Sequence, residues 1–245
     1  MSGLRRAIGI LGGMGPEASV HLYGLLVALS ASEFGAVDNS DFPEIILDSV
    51  PVPDFISDGL RKDEALAILA GRVTDLDRLD LCCLAIACNT AHVLLPALQS
   101  IARTPFVSMI EAVASQVALD GPASVVVLGT PSTVRSGLYR HALDARGIRA
   151  IEPDEPQLRD VEAVIRRVIE NRSDAADAVL LTSVADALMN RGGEAIVLGC
   201  TELPLVFPGD YSAPVYSSLD VLARALLRTY YGSLEPEKHA SCVAR

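Results

Sequence analysis

Two short apolar runs, each ending in a cysteine, constrain this chain more than any other feature. Leu84-Ala85-Ile86-Ala87 leads into Cys88, and Ala195-Ile196-Val197-Leu198-Gly199 leads into Cys200. Small polar residues follow both, Asn89-Thr90 in one case and Thr201-Glu202 in the other. A brief apolar run bounded in this way reads as a buried parallel strand, with the polar residues opening a helix or turn. Open α/β sheets bind ligands beyond the carboxyl ends of their strands. Both thiols therefore fall where a ligand sits. They stand about one small domain apart, so the expected arrangement is two half-domains with one thiol from each facing a shared cleft.

The composition agrees. The chain has 245 residues, enough for one large domain or two ordinary ones. Half of its residues are hydrophobic, tryptophan is absent, and aromatics make up only 4%. The cores are thus built of Ala, Leu, Ile and Val, which suits sheets covered by helices. A net charge of −11 argues against nucleic acid or an anionic membrane as the main partner. No apolar stretch approaches the roughly 18 residues of a membrane span. The stretch after Arg5 and Arg6 is broken early by Gly12-Gly13-Met14-Gly15-Pro16, so no targeting segment is expected. Five cysteines (Cys82, Cys83, Cys88, Cys200 and Cys242) are an odd number and two are adjacent. A disulfide framework does not fit, and a reducing cytoplasm is the expected location.

Along the chain the pattern occurs twice. A strand over 6–11 runs into a glycine turn, 12–17, where Pro16 and Glu17 suit the first turn of a helix extending to 32. That turn offers free N–H groups to a carboxylate, but its glycine spacing is not the dinucleotide fingerprint. A strand at 45–47 and a proline-bearing loop, 49–58, follow; the loop is a candidate pocket wall. A helix over 63–79 precedes the strand 81–87 that carries Cys88. Helix 91–102 is interrupted by Pro96, and a short strand near 107–110 precedes a helix over 111–118. Then strand 124–128, turn 129–133 and helix 136–146 repeat the opening motif. Amphipathic helices over 157–171 and 174–191 lead to the strand that carries Cys200. A last helix spans 218–230. The expected units are 1–105, joined by 215–232 as a returning helix, then 106–214, with 233–245 as a flexible tail.

Several chemistries are disfavoured. Only Lys62 and Lys238 are available, so a buried Schiff-base lysine for pyridoxal phosphate is not expected. His21, His92, His141 and His239 are scattered without metal-ligand spacing, so no metal is expected either. Cys82 and Cys83 read as buried small hydrophobes whose side chains alternate across one strand. Cys88 and Cys200 differ, because a strand end meeting a helix start lowers a thiol pKa toward neutrality. Two facing thiols make a base on one side of a carbon and an acid on the other. Such a pair removes a proton from one face of a Cα and returns one to the opposite face, inverting it. Asn89, Thr90, Thr130, Thr133 and Thr201 supply donors for a substrate carboxylate, or equally serve as helix caps.

These residues carry a family resemblance. Ile10-Leu11-Gly12-Gly13-Met14-Gly15-Pro16, Ala87-Cys88-Asn89-Thr90-Ala91-His92 and Leu198-Gly199-Cys200-Thr201-Glu202-Leu203-Pro204 resemble the signatures of the aspartate/glutamate racemase superfamily, nearest its aspartate racemase branch. Leu128-Gly129-Thr130, then Thr133, Ser136 and Tyr139, resemble that family's entry to its second domain. The resemblance covers about 6–225. It implies two pseudo-symmetric, Rossmann-like parallel-sheet domains with the site between them, no cofactor, a small amino-acid substrate, and a homodimer. It also implies that Cys88 and Cys200 are the acid/base pair, with Met14, Asn89, Thr90, Thr130, Thr133 and Thr201 around the substrate.

The departures bear on specificity. Aspartate racemases usually place an arginine after a Pro-Asp pair in the first-domain loop, where Pro53-Asp54 is here followed by Phe55. A lysine of the family falls on Glu170. The family's Asp-Thr…His near the last helix is replaced around Ser217, Ser218 and Leu222. A second substrate carboxylate would lack its counter-charge, and an unpaired buried charge is costly. Either Arg166, Arg167 or Arg61 substitutes, or Phe55 favours an apolar side chain and Glu170 a cationic or hydroxylated one. A racemase or epimerase is the leading expectation. A decarboxylase or cis–trans isomerase of a small dicarboxylate, and a non-catalytic binding protein, are its rivals.

Overall fold

A computed structural model of the protein describes residues 6–53 and 61–233. Phe55 and Asp54, and the tail from 234 with Lys238, His239 and Cys242, lie outside the described residues. The fold is α/β with two parallel sheets. In the first, β1 (Ala7–Gly12) lies between β2 (Ile45–Ser49) and β3 (Leu81–Ile86). In the second, β4 (Ser124–Gly129) lies between β5 (Arg149–Ile151) and β6 (Ala195–Gly199), with β7 (Val215–Ser217) outside β6. The repeat read from sequence is thus a repeat in space. Central β1 matches β4, and the cysteine-bearing β3 matches β6. Even the outer strand has a counterpart, a parallel bridge from Phe106 to Leu84.

The central strands are fully covered, and residues on both of their faces are apolar, as parallel sheets flanked by helices require. On one side of the first sheet, Leu22 and Leu26 of α1 (Pro16–Phe34) pack with Ile8 and Ile10. On the other, Leu69 and Val73 of α2 (Lys62–Leu76) pack with Leu11 and Leu84. α3 (Leu95–Ile101) adds Leu98 to that face. In the second sheet, α7 (Glu155–Ile169) and α8 (Ala175–Met189) cover Val126 and Ile196 from one side.

Two helices cross over. α4 (Met109–Asp120) follows the first sheet in sequence, yet Val113 and Val117 pack with Val125 and Val127 of the second. α9 (Ser218–Gly232) follows the second sheet, and its Leu222, Ala223, Leu226 and Tyr230 are buried with Ile8 and Ile10 of the first. The same device starts both helices: Ser108 and Ser217 accept a hydrogen bond from the backbone N–H three residues on. Each fully buried Leu or Ile contributes about 1.5–3 kcal/mol. The exchange therefore ties the two sheets together through their cores as well as at the site.

Several expectations change. The turn expected over 129–133 continues into a short helix, α5 (Pro131–Arg135), and the helix expected over 136–146 is α6 (Leu138–Asp144), with Gly137 at a left-handed φ of 68° between the two. Met109 and Ile110 start α4 rather than forming a strand. The three-residue strands β5 and β7 were not legible at that length. The polar segments after the two cysteines form short 3-10 turns, Thr90–Leu94 and Leu203–Leu205, and no α-helix. Cys82 and Cys83 do not alternate. The register jumps from Ala7↔Leu81 to Ile8↔Cys83, so Cys82 is the extra residue of a bulge. Both thiols then pack against the same core, with their sulfurs 3.6 Å apart.

Candidate active site

A cavity of about 270 Å³ opens at the carboxyl ends of β1, β3, β4 and β6. The turn after β1 contributes Gly13, Met14, Gly15 and Pro16, and the following loop Val52 and Pro53. Cys88, Asn89 and Thr90 enter from the first sheet; Thr130, Cys200, Thr201 and Glu202 enter from the second. The end of α7 closes one wall with Arg166, Ile169 and Glu170. Seven of the ten residues singled out from sequence thus meet at the cavity with Glu170 as an eighth. Thr133 sits just behind them.

The β1 turn depends on glycine. Gly13 has φ 87°, and a Cβ there would lie 2.5 Å from the Val50 backbone nitrogen. Its N–H donates to Ser19 Oγ at 2.9 Å, which anchors the turn to α1 and sets Met14 at the cavity.

On the first-sheet side the peptide after Cys88 is held from behind. The Met109 N–H donates to His92 Nε2 at 3.0 Å, so the ring proton sits on Nδ1, which donates to the Cys88 carbonyl at 2.8 Å. His92 is 3% exposed. Burial pushes its pKa down to about 4, so the imidazole is neutral and acts as a structural donor.

Asn89 joins the halves. Its Oδ1 accepts from the Tyr139 hydroxyl and its Nδ2 donates to Ser218 Oγ at 2.9 Å. Gly199 makes room for this link, since a Cβ there would lie 2.7 Å from Tyr139 Cε2. Burial pushes the Tyr139 phenol up, which keeps it a donor. Three hydroxyls close a second link. Thr90 Oγ1 lies 2.9 Å from Thr130 Oγ1 and 3.1 Å from Thr133 Oγ1, and Thr130 and Thr133 are 2.9 Å apart. Thr130 also caps α5, accepting from the Thr133 N–H. The expected choice between cap and site donor resolves into both positions at once for Thr130.

On the second-sheet side, Cys200 Sγ donates to Glu202 Oε2 at 3.0 Å, and Thr201 Oγ1 donates to the same oxygen at 2.8 Å. Burial, then the Glu202 charge and the hydrogen bond to it, push the Cys200 thiol well above its ordinary value. Cys200 is therefore a protonated thiol with a proton acceptor attached, not the thiolate expected from a helix start. Glu202 is the residue that sequence reasoning left out of the site. It lies in the 198–204 motif, two residues past the cysteine, and the fold-back of its side chain brings it to Cys200 Sγ.

The three candidate replacement cations separate. Arg166 lines the cavity, giving Nε and Nη2 to Glu162 Oε1 at 2.9 and 2.8 Å. Arg167 is held by Asp177, and Arg61 bonds Glu64 at the start of α2. Among the described residues no cluster of three His, Cys, Asp or Glu side chains is placed to hold a metal ion. No described helix is long and apolar enough to cross a membrane.

Paired parallel sheets, each ending in a cysteine at one cavity, define a two-lobed α/β protein with a two-sided thiol site. The Asp/Glu/hydantoin racemase family model matches residues 11–226, and the chain belongs to that family of isomerases. It is 26% identical over 225 residues to the broad specificity amino-acid racemase RacX of Bacillus subtilis, covering 91% of this chain and 97% of that one. It is 36% identical over 131 residues to the glutamate racemase of Koribacter versatilis, a match spanning 51% of this chain and 43% of that one. The solved aspartate racemase of Picrophilus torridus is 27% identical, with a TM-score of 0.80 over 92% of this chain and 94% of that one. An aspartate racemase homologue from Pyrococcus horikoshii is 26% identical, with a TM-score of 0.78 over 92% and 99%.

Proposed function

We propose that this protein inverts the Cα of a free amino acid without a cofactor, using Cys88 and Cys200 as the two proton-transfer groups. The observation that carries the reading is the convergence of one strand-end thiol from each sheet on a single cavity, with a carboxylate bonded to one of them. Two groups are needed because inversion removes the proton from one face of the carbon and delivers another to the opposite face. In one direction, a Cys88 thiolate takes the Cα proton while the Cys200 thiol gives its own to the other face. That turnover leaves Cys88 as a thiol and Cys200 as a thiolate; Cys88 then loses its proton to solvent, and Cys200 regains one from solvent by way of Glu202. In the reverse direction the protein starts from that Cys88 thiol and Cys200 thiolate. It reaches them when Cys200 passes its proton through Glu202 to solvent and Cys88 takes one up, so that Cys200 is the base and Cys88 the acid. Transient negative charge spreads onto the substrate α-carboxylate. Thr90 and the second hydrogen of Asn89 Nδ2 offer donors there, and Thr130, Thr201 and Met14 bound the same space. Cytoplasmic residence keeps such thiols reduced. A homodimer is the assembly we infer with it, read by light scattering.

The test is chiral chromatography of purified protein incubated with single-enantiomer amino acids, without added cofactor. Interconversion by the native chain, lost in C88A and in C200A, is expected. Full activity in either variant overturns the mechanism, and release of carbon dioxide in place of the mirror-image product overturns the reaction.

A further inference from the structure

The cavity wall formed by Met14, the 52–53 segment and the end of α7 has a charge pattern of its own. Its surfaces are apolar: Met14, Val52, Pro53 and Ile169. Among the described residues its charged members besides Glu202 are Arg166 and Glu170, both from the last turn of α7 and its C-cap. Arg166 is committed along its own helix, with Nε and Nη2 on Glu162 one turn back. Among the described residues Glu170 is held by Arg172 Nη1 at 2.9 Å, and the two side chains are 52% and 73% exposed. Such a pair contributes little and yields readily to a competing cation. The carboxyl end of a helix also carries partial negative charge, so the helix and Glu170 act in the same sense.

Resting on the racemase reading, we propose that this wall selects an amino acid whose side chain is an aliphatic stem ending in a cation. The stem lies along Met14, Val52, Pro53 and Ile169, and the cationic head reaches Glu170 at the cavity edge, the arrangement long basic side chains adopt on apolar surfaces. A second carboxylate on the substrate meets the opposite. It has to displace Glu162 from Arg166 while sitting beside Glu170 at a helix carboxyl end.

The experiment is Cα–deuterium exchange in D₂O, followed by NMR, with L-lysine, L-ornithine, L-norleucine and L-glutamate on the full chain and on E170Q and E170K. Norleucine is lysine without its ammonium group, so the lysine/norleucine ratio of kcat/KM isolates the charge. A ratio of about two to five is expected for the native chain, as for a half-exposed ion pair. E170Q brings that ratio near one, and E170K turns the preference toward glutamate. A native ratio near one, exchange of glutamate faster than lysine, or an unchanged ratio in E170Q overturns the assignment of the subsite and leaves the racemase reading standing. Exchange with no amino acid overturns both.

Discussion

The two thiol ends of the cavity are equivalent in topology and different in chemistry. Cys88 and Cys200 each follow a strand beside the central strand of its sheet. Around Cys88, the neighbouring histidine grips the backbone: His92 holds the carbonyl and is itself held by Met109. Around Cys200, the neighbouring acid grips the thiol itself. The repeated strand order accounts for the matching positions. The local residues, Asn89-Thr90-Ala91-His92 against Thr201-Glu202-Leu203, then give one end a fixed backbone frame and the other a carboxylate bonded to the thiol. Sequence symmetry therefore locates the pair without revealing how their surroundings differ. Burial and the Glu202 charge raise the Cys200 pKa and keep that thiol protonated.

The comparison can be broken most severely by removing the thiols. C88A and C200A are each expected to lower inversion by at least about 10³-fold, the range of general acid–base catalysis, measured as appearance of the mirror-image product. A large loss in one variant alone would mean that one end suffices. E202Q sharpens the difference between the ends. It is expected to slow turnover about 10²-fold. It also lowers the Cys200 pKa, because the charge that raises it is gone while burial remains. In a C88A background, the pH midpoint of Cys200 alkylation should move down in E202Q; an unmoved midpoint would detach Glu202 from the thiol.

His92 tests the frame at the other end. Its folded pKa of about 4 lies below the ordinary 6.5. The unfolded chain therefore binds the extra proton first, and stability is full above about pH 6.5 and falls as pH drops toward 4. The loss amounts to a few kcal/mol on the order given by one pKa unit being about 1.4 kcal/mol. H92Q should flatten that part of a urea-denaturation series against pH. The smallest effect concerns the link between the halves. Y139F removes the donor to Asn89 Oδ1 and is expected to cost about 1–3 kcal/mol, the penalty for a buried acceptor left without its partner.

Much of the site was legible because its residues sit where strands end. An apolar run stopping at a cysteine is visible in one dimension, so Cys88, Cys200 and their threonine neighbours could be placed before any coordinates. The glycine turn set Met14 in the same way. What was not legible depends on side chains folding back or on local backbone freedom. Glu202 reaches Cys200 through its own rotamer, Gly137 at a left-handed φ separates an unexpected short helix in the 129–133 turn from the helix that follows, and the bulge at Cys82 turns two neighbouring thiols onto one face. Strands of three residues, β5 and β7, carry too little pattern to stand out. Arg166 was one of three possible cations by sequence. Only packing separates it from Arg167, which serves Asp177.

The central claim is that two different groups handle the proton on the two faces of the carbon. It is tested most directly by starting from one enantiomer in D₂O and analysing both enantiomers early in the reaction. With Cys88 and Cys200 on opposite sides, the newly formed enantiomer carries deuterium at Cα while the recovered starting enantiomer keeps its hydrogen. A product that retains the substrate's own hydrogen, or starting enantiomer labelled as fast as product forms, would mean a single base serving both faces and would contradict the account.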